Sequence, residues 1–141
     1  MKHDHSISGI MTREVVTISP DTSLERVHEI FNTYRFHHLV VVDQDQAVKG
    51  IISKSDYHKV RHMMVNTWSG ETVVQHLYGD MRARDIMTSH PLKIEPDDSI
   101  GLAADIFLSN QLHALPVVEE NRLVGIVTAH DLLQHAYKDA P

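Results

Sequence analysis

No cysteine occurs among the 141 residues. That excludes a disulfide framework, a thiolate nucleophile and a cysteine-ligated zinc site, and it suits a reducing compartment. No apolar run is long enough to span a bilayer. The opening M-K-H-D-H-S-I-S-G-I lacks the apolar core of a secretory leader. The chain is therefore expected to be soluble and cytoplasmic, with no membrane partner. Positive charge is in deficit: 13 Lys and Arg stand against 19 Asp and Glu, a formal net charge of −6, and no basic stripe is present. Nucleic acid is excluded as a partner on that ground, because phosphate contacts need clustered Lys and Arg. G-x-S-x-G, H-E-x-x-H and G-x-x-x-x-G-K-[ST] are all missing. No spacing of Asp, His and Ser picks out a triad, so the chain reads as non-catalytic.

What the chain does have is repetition. I-M-T-R-E-V-V-T-I-S-P-D-T-S-L (10–24) lies over I-M-T-S-H-P-L-K-I-E-P-D-D-S-I (86–100). The alignment runs ungapped to Asp43 over Glu119, skips one residue at Asp45, and brings Gly50 onto Gly125. Phe31 then matches Phe107, His37 matches His113, and Asp56 matches Asp131. The second motif is G-I-I-S-K-S-D (50–56) over G-I-V-T-A-H-D (125–131). With 42% hydrophobic residues the composition supports a packed core. Twelve histidines are unusual in a chain of this length.

Each copy parses alike. A short strand, Val15–Ile18 or Leu92–Ile94, precedes S-P-D-T-S or E-P-D-D-S, a turn with helix-capping residues. Helical spacing over Ser23–Tyr34 puts Leu24, Val27, Ile30 and Phe31 on one face; Ile100, Ala103, Ala104 and Phe107 do the same in the later copy. The runs His38–Val42 and Ala114–Val118 read as strands of a covered sheet. Asp43–Ala47 and Glu119–Arg122 are turns leading to strands Val48–Ile52 and Leu123–Val127. A helix follows Ser53 and Thr128. The fold class is thus α/β (α+β): two tandem β-α-β-β-α repeats, 7–62 and 83–137, with a linker over 63–82. One unit is too small to cover both sheet faces, so the two are expected to pack together with pseudo-two-fold symmetry. Within 58–85, Y-H-K-V-R-H-M-M-V extends the preceding helix, W-S-G breaks it, and E-T-V-V-Q-H-L-Y forms a further short helix.

The strand-to-helix junctions carry the candidate chemistry. Exposed N–H groups and the helix dipole at the start of a helix favour an anion such as phosphate. Ser53 and Ser55 add hydroxyl donors, and Thr128 repeats the arrangement. Asp56 and Asp131, in the first helical turn, are acceptor-only carboxylates that match the paired hydroxyls of a ribose. The same [S/T]-x-x-D spacing is also a capping box, which needs no ligand. Both readings stand.

The duplicated unit, the M-T…S-P-D-x-S opening, the H-x-L-[VP]-V-V strand and the G-I-[IV]-[ST]-x-x-D close resemble a cystathionine β-synthase (CBS) domain pair over about residues 7–137. The resemblance implies a regulatory, non-catalytic module with two clefts between the halves. It implies an adenosine-containing ligand (AMP, ADP, ATP or S-adenosylmethionine) as a regulatory rather than obligatory cofactor, and pairing into homodimers. It also directs His37, His38 and His113 at the ligand's phosphates. His130, matching Ser55, adds a donor where the second copy has Ala114 in place of His38. Phosphate affinity held by histidine would rise as pH falls through imidazole titration. Thr12, Thr88, Thr17 and Lys93 would bracket the base, with Val16 against its face. The alternative for these residues is strand-end, turn and core duty.

Metal is not expected: His58 and His62 share a helix face and His3 and His5 form an H-x-H pair, but two ligands make an incomplete site. The expected function is an adenosine-ligand sensor that signals to a separate, unknown effector protein. The alternative is a ligand-free interaction or dimerisation scaffold.

Overall fold

The computed structural model describes residues 5–67 and 79–138. The W-S-G and E-T-V-V-Q-H-L-Y segments, 68–78, lie outside the described residues. The architecture is mixed α and β as expected, with two sheets and five helices among the described residues. They run β1 (Thr17–Ile18), α1 (Leu24–Thr33), β2 (His38–Val42), β3 (Val48–Ser53), α2 (Lys54–Thr67), α3 (Ala83–Ile86), β4 (Thr88–Ser89), α4 (Ile100–Ser109), β5 (Ala114–Glu119), β6 (Arg122–Thr128) and α5 (Ala129–Lys138). Among the described residues, no helix is long and apolar enough to cross a membrane.

The described residues group into two compact units, those of Val16–His90 and those of Met1–Val15 with Pro91–Pro141. In the first, the sheet order is β1-β2-β3-β4. β1 runs parallel to β2, with Thr17 opposite Val40. β2 and β3 form an antiparallel hairpin with His38 opposite Ser53. β4 adds to the free side of β3, with Ile51 opposite Thr88. Helix α1 starts where Ser23 Oγ accepts the Arg26 N–H at 3.1 Å, the expected cap. Its predicted face of Leu24, Val27, Ile30 and Phe31 is buried, against Leu39, Val41, Ile52 and Tyr57. β2 is buried along Leu39–Val42, as a covered strand should be.

The second unit repeats this order with its two flanking strands reduced to single bridges. β5 and β6 pair antiparallel, with Ala114 opposite Thr128. Ile94 makes a parallel bridge to Val117, and Thr12 an antiparallel bridge to Ile126. Ser99 Oγ caps α4 by accepting the Leu102 N–H at 3.0 Å. On α4, Ile100 and Ala103 are buried, while Ala104 and Phe107 are only half-buried. The one-residue gap between the copies falls in the hairpin turns. Glu120 and Asn121 both take positive φ (52° and 63°), a two-residue turn. The longer first turn is built around Asp43, whose Oδ1 accepts the N–H groups of Asp45 and Ala47. The Ala47 N–H holds that carboxyl below its ordinary range, with the Asp45 N–H and Lys49 acting the same way against desolvation. The turn is therefore supported at neutral pH, and the support is lost as pH falls through the depressed value.

Two expectations need correction. The first strands are shorter than predicted: Val15 and Val16 stay outside β1, and of Leu92–Ile94 only Ile94 pairs, its N–H donating to Pro116 O at 3.0 Å. The preceding residues explain the first case. Thr12 is tied to Ile126 by N–H···O bonds of 2.9 Å in each direction, so the chain joins β2 only after leaving β6.

Glycine is required where these opening segments approach. A Cβ on Gly125 would lie 2.9 Å from both Met11 Sδ and the Thr12 carbonyl oxygen; one on Gly50 would lie 2.5 Å from Met87 Sδ and 3.0 Å from Thr88 O. Gly125→Ala is expected to destabilise the protein by about 1–3 kcal/mol in denaturant melts through overcrowding. Gly9→Ala, where a Cβ meets nothing within 4 Å, should stay within about 0.5 kcal/mol.

Candidate functional site

In the unit of Val16–His90, one end of the β2–β3 hairpin gathers most of the first copy's candidates. His38 opens β2 directly across from Ser53, the last residue of β3. The His37 carbonyl accepts the Lys54 N–H at 2.7 Å, which fastens the histidine pair to the start of α2. Ser53 Oγ then accepts the Asp56 N–H at 2.9 Å, so the serine caps the helix. Ser55 and Asp56 are exposed in the first turn, His37 is exposed and His38 half-buried. The Asp56 carboxylate makes a surface ion pair with Lys59 at 4.0 Å, a contact of about 0–1 kcal/mol. Thr88 joins the same sheet one strand over, exposed beside Ile51 on β3.

The second unit builds the same end of β5–β6. The His113 carbonyl accepts the Ala129 N–H at 3.0 Å. Thr128 Oγ1 accepts the Asp131 N–H at 3.1 Å, and Asp131 Oδ2 accepts the Thr128 N–H at 2.9 Å. This capping box is closed in both directions, whereas the first copy has only its serine arm. His113, His130 and Thr12 are exposed, with Thr12 alongside Ile126. Lys93 is exposed next to the Ile94 bridge. Asp131 also lines a pocket of about 280 Å³ with Gly9, Ile10, Gln134, His135 and Lys138. Sequence reasoning missed these five, although Gln134, His135 and Lys138 follow Asp131 at helical spacing.

Val16 and Thr17 are placed elsewhere. They lie on the far side of β2 from β3. They line a pocket of about 510 Å³ with Ile18, Ser19, Thr22, Arg26, Ile30 and Tyr34. Ser53, Ser55 and Asp56 are not among its walls. The signal that could have found it is the spacing of four that runs from Thr22, just before α1, through Arg26 and Ile30 to Tyr34 at its end. His58 and His62 both lie on α2. Among the described residues, no group of three or more His, Asp or Glu could hold a metal ion.

Comparisons with known proteins agree with this architecture. The sequence model of the CBS domain matches residues 7–62 and 83–138. The chain superposes on the crystal structure of CBSX2 in complex with AMP, a CBS-pair protein of Arabidopsis thaliana, with a TM-score of 0.79 at 22% identity, covering 96% of this chain and 98% of that one. A CBS domain pair in complex with 5′-methylthioadenosine and S-adenosyl-L-methionine superposes with a TM-score of 0.76 at 21% identity, covering 96% and 98%. Inosine-5′-monophosphate dehydrogenase of Methanocaldococcus jannaschii is 26% identical over 126 residues, 89% of this chain but 22% of that protein. The chain thus spans under a quarter of the length of several curated relatives it matches.

The unequal boxes make a prediction about stability alone. Asp131→Ala removes a carboxylate that holds the Thr128 N–H and should cost about 1 kcal/mol in urea melts. Asp56→Ala removes only an exposed ion pair and should cost less than about 0.5 kcal/mol.

Proposed function

The chain belongs to the CBS domain family, and from that premise we propose that it is a regulatory sensor of an adenosine-containing ligand, acting on a separate partner protein. One observation carries the reading: each unit fastens the histidine just before its middle strand, His37 or His113, to a helix start and sets an aspartate in the first turn of that helix. The dipole at the start of α2 and of α5 favours a phosphate there. His37 and His38 supplement them in one unit, His113 and His130 in the other. Asp56 and Asp131 accept the two ribose hydroxyls. The cap and the clamp are compatible, because an ionised carboxylate has about four acceptor positions and the box on Asp131 uses one.

Complexes of family members with AMP and with S-adenosyl-L-methionine support the ligand class. Signalling follows from linkage. A ligand held more tightly in one arrangement of the protein shifts the population toward it, by no more than its differential affinity.

A second reading has its own support. Leu108 is 86% and Tyr137 81% exposed, on α4 and α5, with Leu102 and Leu133 also exposed on the same two helices. This apolar surface suits a homodimer and leaves open a scaffold that needs no ligand.

Thermal denaturation with AMP, ADP, ATP and S-adenosylmethionine, followed by calorimetry, separates the two. The sensor reading expects one of them to raise Tm in a saturable way. A ligand at a hundred times its Kd adds about 2.7 kcal/mol. Asp56→Ala or Asp131→Ala should remove the response. Folded protein that ignores all four ligands would replace the sensor with the scaffold.

A further inference from the structure

Resting on the adenosine reading above, we infer that the two strand-to-helix junctions are tuned to ligands of different charge. The junction at α2 takes the phosphate-rich ligand. The junction at α5 takes one whose far end carries little or no negative charge. Most of their chemistry is shared. Each starts a helix, sets one aspartate in its first turn and holds two histidines, His37 and His38 or His113 and His130. Helix dipole and imidazole therefore favour phosphate about equally at both.

The difference lies in the cations that keep their charge at neutral pH. Arg35, just ahead of the histidine pair, is matched by Gln111 in the second copy. Lys54, which opens α2, is matched by Ala129, which opens α5, and Lys59 by Gln134. Lys54 is half-buried, and its own N–H donates to His37 O at 2.7 Å, so its side chain springs from the point where the histidines meet the helix. Arg35 is exposed and offers five N–H donors. Lys59 meets Asp56 at 4.0 Å in an exposed pair, weak enough for an anion to share.

The junction at α5 has also committed a donor. Asp131 Oδ2 accepts the Thr128 N–H at 2.9 Å, which takes that N–H away from a phosphate and holds a carboxylate against it. The cations of this unit stand elsewhere. Arg13 Nη2 donates to Ser8 O at 3.3 Å. Lys93 lies beside the Ile94 bridge. Lys138 follows Asp131 by two turns of α5, about 10 Å. Each phosphate added to a ligand brings more negative charge, so affinity should climb with phosphate number at α2 and stay nearly level at α5.

Adenosine, AMP, ADP and ATP are titrated into the ¹⁵N-labelled full chain, with the amides of 35–59 and of 111–134 read separately. At 35–59 affinity is expected to rise at least tenfold from adenosine to ATP, and to lose most of that rise in about 0.5 M salt. At 111–134 it should change less than about threefold. Lys54→Ala should cut the ATP-to-adenosine ratio at 35–59 at least threefold. Gln111→Arg with Ala129→Lys should raise that ratio severalfold at 111–134. Three outcomes would each overturn the division of charge and leave the sensor standing: an equal or steeper rise at 111–134, an unchanged ratio in folded Lys54→Ala, or no gain in the double variant. Silence of both segments toward all four compounds would overturn the sensor reading itself, and the division with it.

Discussion

Each unit depends on a backbone approach that only glycine permits. A two-stranded hairpin is marginal by itself in water, and β2–β3 and β5–β6 each gain a neighbour on both sides. On one side stands a parallel partner of the same repeat, β1 or the Ile94 bridge. On the other stands the opening segment of the opposite repeat, Thr88–Ser89 on β3 and Thr12 on β6. The segments reach Gly50 and Gly125 through a methionine side chain and a threonine carbonyl, at distances where a methyl group would collide. This explains why the M-T dipeptide and the G-I-[IV] motif recur together. They are two halves of one contact, and duplication of the chain duplicates the contact with the halves exchanged.

The exchange was not legible in the sequence, and the reason is physical. Periodicity reports which face of a local segment is buried. It carries no information about which distant segment covers a sheet edge. Within that limit the reading was close. The buried face of α1, the caps at Ser23 and Ser99, and strand β2 over His38–Val42 stand where the pattern put them. The β1 and Ile94 strands came out too long because Val15, Val16 and Leu92 look as β-prone as their neighbours, and only the commitment of Thr12 to β6 shortens the first. On α4 the match to α1 was imperfect for a related reason. Alanine at 103 and 104 fills less space than Val27 and His28, and Phe107 is left half-buried.

The candidate site divides along the same line. Residues near one another in sequence, Ser53 with Asp56 and Thr128 with Asp131, were predictable as caps because the bonds span a single turn. Their link to His37 and His113 was implied by the resemblance, and a backbone hydrogen bond from the helix start to each histidine carbonyl gives it a mechanical basis. Of the pocket's walls the sequence offered Val16 and Thr17 as candidates, while Arg26 and Tyr34 escaped notice because attention to the apolar face of α1 leaves its other sides as solvent-exposed surface. The spacing of four from Thr22 to Tyr34 is as regular as that of the buried stripe, but its residues share geometry without sharing polarity.

One motif thus exists in two physical states in the same chain. In the second unit the carboxylate is oriented by the backbone it caps; in the first, among the described residues, it is met by an exposed ion pair with Lys59, one turn further along the helix. An oriented carboxylate presents a fixed geometry to a ligand at little further entropic cost, while a loosely held one must be ordered on binding. The capping role and a ligand role therefore do not compete for Asp131. Under the proposed function the cap does part of the ligand's work in advance, and a strand that hands its chain directly into a capped helix is a place where stability and recognition can be met by the same atoms.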